Sequence, residues 1–342
     1  MDLKSVLVDG DLFVSYWTGS DLTILFGSRN GIIAAETRPA GNLGALLTAF
    51  TRRMTDEAEY QDFRPLRGIV AELASILIPP SLLRACTNGA RRLIVIPDAS
   101  LNIVPIHLFI ESVAGKSFHE LFPDGVLYAP SASAYIYACA KRRQSPPERA
   151  LILVGDENDA MLFEEAERVK TSIRVPTEII TKKGDLSKTD QVDLLYIATH
   201  GAAPAEIGGG SWELLFDDGA LHAEDFFSER IKLARGSIVV LSACSVGHLI
   251  AAAAHELDGL IQSIFYAGAS TIFAARWPIL YETADAVFAP TVAAISVEGV
   301  SPARALNNSL RDARTRPDLT ALMTDSDAST FLWGAFALFG SG

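Results

Sequence analysis

Asp193-Leu194-Leu195-Tyr196-Ile197-Ala198-Thr199-His200-Gly201 and Ser237-Ile238-Val239-Val240-Leu241-Ser242-Ala243-Cys244-Ser245-Val246-Gly247 decide the reading of this chain. Each is a short apolar run that ends on a reactive side chain, with a glycine close behind. Runs that are apolar on both faces are what a sheet buried on both sides requires. Three further runs share the character: Leu93–Ile96, Leu151–Val154 and Thr271–Ala275. Helical patterns stand between or after them at Ser133–Arg143, Phe163–Ser172, Leu249–Ala267, Thr283–Glu298 and Pro302–Arg314. Strands alternating with helices predict an α/β fold, a mostly parallel central sheet with helices on both faces. Upstream, Asp11–Tyr16, Leu22–Phe26 and Ile32–Thr37 read as a β-meander. Residues 42–77 read as helical, with a break near Arg64-Pro65 and a stop at Pro79-Pro80. The expected division is an annex over residues 1–90 and a core over 91–342. The best linker is Gln144–Arg149, just before Leu151–Val154, read as the first strand of the main sheet.

Composition narrows the function. The 342 residues are 49% hydrophobic and 20% charged, an ordinary balance for a folded protein. The 29 Lys and Arg stand against 41 Asp and Glu, a net charge of −12. That balance argues against nucleic acid or an anionic membrane as partner, since both need clustered positive charge. No apolar run approaches the ~18 residues of a membrane span, and the start does not read as a signal peptide. Cys86, Cys139 and Cys244 are three, are far apart and form no C-x-x-C pair. No disulfide framework is expected, and a reducing cytoplasm fits best.

In open α/β sheets ligands gather outside the carboxyl ends of the strands. If the two quoted strands are parallel neighbours, His200 and Cys244 emerge side by side on that edge. A thiol becomes a useful nucleophile when a base lies within hydrogen-bond reach. The backbone N–H groups of Gly201 and Cys244 are candidate oxyanion donors for acyl transfer. Against this stand the bland alternatives: a cysteine at a buried strand end is commonly a small apolar filler, and a strand-terminal histidine is commonly structural.

The residues also carry a family resemblance. Leu93-Ile94-Val95-Ile96-Pro97-Asp98 through Val104-Pro105, Tyr128-Ala129-Pro130-Ser131-Ala132-Ser133, Ile197-Ala198-Thr199-His200-Gly201 and Leu241-Ser242-Ala243-Cys244 occur in the order of the CHAT domain motifs. Leu214–Phe216 with Asp218-Gly219 and Glu224-Asp225, then Asp258-Gly259-Leu260, Ala267-Gly268-Ala269, Trp277-Pro278 and Trp333-Gly334-Ala335-Phe336 complete the series. The sequence therefore resembles the CHAT branch of the caspase–hemoglobinase (clan CD) cysteine peptidases, relatives of separase. The likeness runs nearly the whole chain, meander and Leu82-Leu83 included. It implies a caspase-like fold and a Cys-His dyad, Cys244 as nucleophile and His200 managing the proton, with no metal or organic cofactor. It further implies a protein substrate in bacterial defence or regulated cell death, such as a gasdermin-like pore former or a CRISPR-associated protein. A regulatory partner protein or a helical-repeat module belongs to the same expectation, and this chain carries no such repeats.

Three departures bear on detail. Ser245-Val246-Gly247 replaces the family's "x-T-G" after the nucleophile. Gly155-Asp156-Glu157 stands where the family often reads "G-N-P". Leu280 and Tyr281 take the places of acids common after its "W-P-V". The last two flank the clan's substrate pocket, which here would draw on Asp156, Ala275, Arg276 and Trp277. Alternation puts Arg276 opposite Ala275 and Trp277, so a P1 side chain that is apolar or small is expected, with Asp156 as the one candidate acid for a basic P1. Trp277 reads equally as core filler.

Other features are discounted. Gly208-Gly209-Gly210 lacks the G-K-[ST] of a phosphate loop and reads as a mobile loop, as does Ala202–Ser211 around it. His222, His248 and His255 have no metal-ligand spacing, and His255-Glu256 reads as a helix surface. Glu164, Glu165 and Glu167 are expected to face solvent. Cys86 and Cys139 are expected to be structural, and Ser131 and Ser133 to cap a helix. Two rivals remain for the function: a non-catalytic protein-binding scaffold on this fold, and a cysteine hydrolase of non-peptide acyl substrates.

Overall fold

The computed structural model describes residues 2–55, 64–202, 213–228, 230–243, 257–277, 279–321 and 332–342. The meander forms as expected: β1 (Asp11–Thr18), β2 (Asp21–Ser28) and β3 (Gly31–Pro39) pair antiparallel in sequence order. It does not stand apart as a layer of its own. β1 pairs in parallel with β4 (Arg92–Ile96), so meander and core share one sheet.

That sheet continues through β5 (Val126–Tyr128), β6 (Ala150–Val154), β7 (Thr177–Ile180), β8 (Leu194–Ala202), β10 (Ile238–Ala243), β11 (Thr271–Ala275) and β12 (Phe336–Gly340). The spatial order is β3-β2-β1-β4-β5-β12-β11-β10-β8-β6-β7. A short β9 (Glu213–Leu215) pairs antiparallel with the end of β8. The pairs β4·β5, β5·β12, β11·β10, β10·β8, β8·β6 and β6·β7 are parallel, and β12·β11 is antiparallel. Every residue of β6, β10, β11 and β12 is buried. Successive strand residues point to opposite faces, so both faces of the sheet are covered. Helices at Ile106–Ala114, Ala132–Lys141, Ala160–Ser172, Leu257–Ala267, Tyr281–Glu298 and Pro302–Ala313 provide that cover.

The sequence reading placed the long strands and missed β5, β7 and β12. β5 is three residues long, too short for a periodic signal. β7 is an edge strand whose Glu178 side chain stays exposed. Two annex helices run Leu43–Thr55 and Arg64–Leu77, and the Arg64-Pro65 pair expected near a break opens the second of them. The expected start of the 249–267 helix lies outside the described residues. Ser131 caps the helix at Ala132 by accepting the Ala134 N–H at 3.1 Å. Among the described residues no single helix is long and apolar enough to cross a membrane.

Candidate active site

β8 carries its apolar run through the core and then surfaces. Leu194 to Thr199 are at most 1% exposed, and the His200 side chain is 48% exposed. The strand goes on through Gly201 to Ala202, paired with β9 as His200↔Leu215 and Gly201↔Leu214. Thr199 sits immediately before the base. Its hydroxyl donates to the Leu215 carbonyl, which ties the strand end to the hairpin.

β10 lies beside β8 in the same direction. The register runs Ile238↔Leu194 through Ser242↔Ala198 to Ala243↔Thr199. Thus the residue that precedes Cys244 faces the residue that precedes His200. Cys244 itself lies outside the described residues, as do Gly208–Gly210, the 203–211 part of the loop expected to be mobile, His248 and His255.

β6 is the other neighbour of β8, in register to Val154↔Ala198. The loop that leaves it is held by its own backbone. Gly155 N–H donates to the Ala198 carbonyl at 2.8 Å, and Asp217 N–H donates to the Gly155 carbonyl at 3.0 Å. Glu157 N–H donates to Asp217 Oδ2 at 3.1 Å, and Asn158 N–H to Asp156 Oδ1 at 2.8 Å. The loop ends at Asp159, whose Oδ1 caps the Ala160–Ser172 helix by accepting from the Met161 and Leu162 amides at 2.9 and 3.3 Å. Its other oxygen, Oδ2, lies 3.1 Å from His200 Nε2. Burial pushes the Asp159 carboxyl up, yet the His200 bond and the two amides outweigh this and hold it below the ordinary carboxylate value. Asp159 escaped the sequence reading, which began the helix at Phe163. An Asp directly before Ala160-Met161-Leu162 was the available signal, since Asp is a favoured N-cap.

The helix also corrects an expectation. Glu164 and Glu167 are exposed, but Glu165 is 2% exposed and does not face solvent. It accepts the Tyr196 hydroxyl proton from β8 and bonds the Ser242 hydroxyl of β10. Burial pushes its carboxyl up. A carboxylate that finds two hydroxyl partners under the sheet can be buried; without them it could not.

The remaining candidates are placed as follows. Ala275, Arg276 and Trp277 are all fully buried. Trp277 packs edge-on against Phe50 at 6.2 Å between ring centroids. Arg276 donates from Nε to the Asn102 carbonyl and from Nη1 to the Gly334 and Phe336 carbonyls, with its guanidinium 3.9 Å from the Tyr128 ring centroid. Those bonds join β11, β12 and the turn after β4. Asp156 is half-buried, which leaves it the accessible one of the four. Cys86 is buried and Cys139 half-buried. Burial pushes the Cys86 thiol up to about 12 and raises that of Cys139, so neither is an effective nucleophile. His107 is fully buried against the Tyr128 hydroxyl, 2.8 Å from Nδ1, and burial drives its pKa well down. Burial also lowers His119 to about 4. His222 Nδ1 lies 3.6 Å from Glu213 Oε1, on the hairpin beyond the base.

Solved structures share this architecture. The Saccharomyces cerevisiae separase–securin complex superposes with a TM-score of 0.59 at 8% identity, covering 99% of this chain and 30% of that one. The Arg-specific cysteine proteinase gingipain R gives 0.50 at 10% identity, over 88% and 74%. The pro- and mature domains of the Porphyromonas gingivalis enzyme give 0.50 at 10%, over 88% and 77%. The chain thus spans under a third of the separase chain it matches. At identities this low the likeness shows the fold alone, a caspase-like α/β fold. No curated protein matches the chain. A family model does: residues 67–341 match the CHAT domain. That match takes in the β8 and β10 strand ends and most of the chain, which therefore belongs to the CHAT domain family.

Proposed function

We propose that the protein is a cysteine endopeptidase with Cys244 and His200 as its catalytic dyad. The observation that carries this is the β8·β10 register, Ala243 opposite Thr199, the residues that come directly before Cys244 and His200 in the sequence. His200 takes the thiol proton as Sγ bonds to the scissile carbonyl carbon. The backbone N–H groups of Gly201 and Cys244 receive the oxyanion. Collapse of the tetrahedral adduct breaks the C–N bond, and His200 returns the proton to the leaving amine. Water then attacks the thioester, losing a proton to His200, and frees the acid and the thiol. The chemistry needs no metal or organic cofactor.

Side-chain preference follows what substrate can touch. Ala275 and Trp277 are buried, so an apolar P1 shelf on them would first have to be opened. Asp156 is accessible in the loop after β6, on a chain of net charge −12. A basic P1 residue is therefore the favoured substrate class, and gingipain R is described as Arg-specific. The separase structure holds a securin partner, and a dedicated protein partner in the cytoplasm, in defence or cell-death control, fits the same reading here.

A fluorogenic peptide library varied at P1, with an electrophilic peptide probe, tests the proposal. Labelling at Cys244, cleavage lost in Cys244→Ala and cut ~10²–10⁴-fold in His200→Ala support it. Preference for Arg or Lys, lost in Asp156→Ala, supports the acidic subsite; preference for Leu or Ala that survives that change overturns it. No labelling supports a scaffold. Labelling without peptide turnover supports a hydrolase of other acyl substrates.

A further inference from the structure

The Asp159–His200 contact is poorly suited to stabilising the fold and well suited to orienting a ring. The side chains are 19% and 48% exposed, and exposed pairs of this kind contribute little to stability. The carboxylate is nonetheless held tightly. One oxygen is committed to two helix N-terminal amides. The loop before it is bonded to β8 and to Asp217. The helix after it is anchored through Glu165 to Tyr196 on β8 and Ser242 on β10. Asp159 is thus fixed relative to the strand that carries the base, with one oxygen free to address the ring.

Resting on the reading of His200 as the base, we propose that Asp159 is the positioning residue of the site, accepting the Nε2–H of His200 and so fixing the tautomer whose Nδ1 is free to exchange the proton. A neutral imidazole carries one proton, and a carboxylate at one nitrogen holds it there. The other nitrogen is then the acceptor. No bond to Asp159 forms or breaks in the reaction, and its role is to orient the ring and stabilise the imidazolium formed in turnover.

The cap and the ring contact can be separated by substitution. Asp159→Asn keeps an N-cap acceptor but presents an amide N–H₂ to Nε2, which favours the opposite tautomer. Asp159→Ser keeps a cap and presents nothing to the ring. The first readout is the His200 tautomer, from ¹⁵N–¹H two-bond correlations at alkaline pH in a Cys244→Ala background. The second is the rate of Cys244 alkylation by iodoacetamide, located by mass spectrometry, in chains that keep the thiol. The expected result is Nε2–H in the parent and Nδ1–H in the Asp159→Asn variant. Alkylation falls by roughly 10²-fold in Asp159→Asn and less in Asp159→Ser, with both melting temperatures near the parent's. An unchanged tautomer in Asp159→Asn overturns the proposal at any alkylation rate, as does an unchanged alkylation rate when His200→Ala slows it. If His200→Ala alkylates at the parent rate, the dyad reading fails, and the tautomer result alone decides for or against the positioning role.

Discussion

Gly155 is required by what one methyl group would strike. A Cβ built there lies 1.9 Å from Thr199 Oγ1 and 2.5 Å from the Leu215 carbonyl oxygen. Neither can yield, because Thr199 is buried and its hydroxyl is bonded to that same carbonyl. Gly155→Ala therefore pushes the Asp156–Asp159 loop away from the strand end that holds His200. We expect a loss of about 1–3 kcal/mol in urea unfolding, as for other overpacking changes, together with slower Cys244 alkylation. An unchanged midpoint would show that the contact relaxes freely. The sequence reading placed Gly155 at the substrate edge but could not see its steric cause, since the neighbours come from two other strands. Asp159 carries a second expectation at this scale. Its folded pKa is depressed, so its contribution is complete above the unfolded carboxylate value of about 3.9 and is lost as pH falls through the lower folded value. Between pH ~5 and 8 Asp159 should stay ionised and the cap it makes should be insensitive to pH. The stability cost of Asp159→Ala in a His200→Ala background, followed by urea unfolding across that range, should be constant; a cost that drifts would show that Asp159 titrates there.

The Ala160–Ser172 helix is the element that makes the site one unit. Its inner stripe is Leu162, Glu165, Ala166 and Val169, all buried, at the spacing of one helical face. The spacing was legible, and the expectation for Glu165 failed because a glutamate is almost never buried unless paired. Its partners, Tyr196 and Ser242, sit on strands distant in sequence, beyond the reach of a local pattern. The pairing predicts a sign for stability against pH. Burial raises the Glu165 pKa, so the folded state holds this proton more firmly than the unfolded chain. Its contribution is complete below the unfolded value of about 4.3 and is lost as pH rises through the folded value. Glu165→Gln cannot ionise and keeps the hydroxyl bonds. Melting temperatures of the two proteins should converge or favour the parent near pH ~4, and the Gln variant should gain steadily as pH rises. A difference independent of pH would show that folding does not raise the Glu165 pKa. Glu165→Ala should instead cost about 1–3 kcal/mol, because the Tyr196 hydroxyl then loses its acceptor in the core.

At the scale of the molecule, the meander and the core are one sheet, and the family match that begins at residue 67 cuts through it. The sequence showed the meander strands clearly but not their place, because β1 pairs with β4 far along the chain and nothing local records a parallel partner. The junction is specific. Asp11 takes Arg92 by two bonds of 2.8 and 2.7 Å, with the carboxylate side chain 1% exposed. Thr18 donates its N–H and hydroxyl to Asp98 at the other end of the same strand pair, at 2.7 and 2.8 Å. That gives the aspartate of the Ile96-Pro97-Asp98 motif a structural duty. Phe50 from the annex packs on Phe109 and Trp277 of the core. Phe13, Val14, Tyr16, Leu47, Phe50 and Met54 are all buried, and full burial of such side chains contributes about 1.5–3 kcal/mol each. Their sum is comparable to the roughly 5–15 kcal/mol by which a domain is ordinarily stable. Removing residues 1–66 would also turn β4, with Leu93, Ile94 and Val95 fully buried, into a bare apolar edge, the kind that pairs with other chains. A chain beginning at residue 67 should therefore be insoluble, or soluble without a cooperative thermal transition, although it holds both His200 and Cys244. Expressing it beside the full chain and following far-UV circular dichroism on heating checks this. A soluble fragment with a sharp transition and Cys244 alkylated at the full-chain rate would show that the core folds without its first three strands.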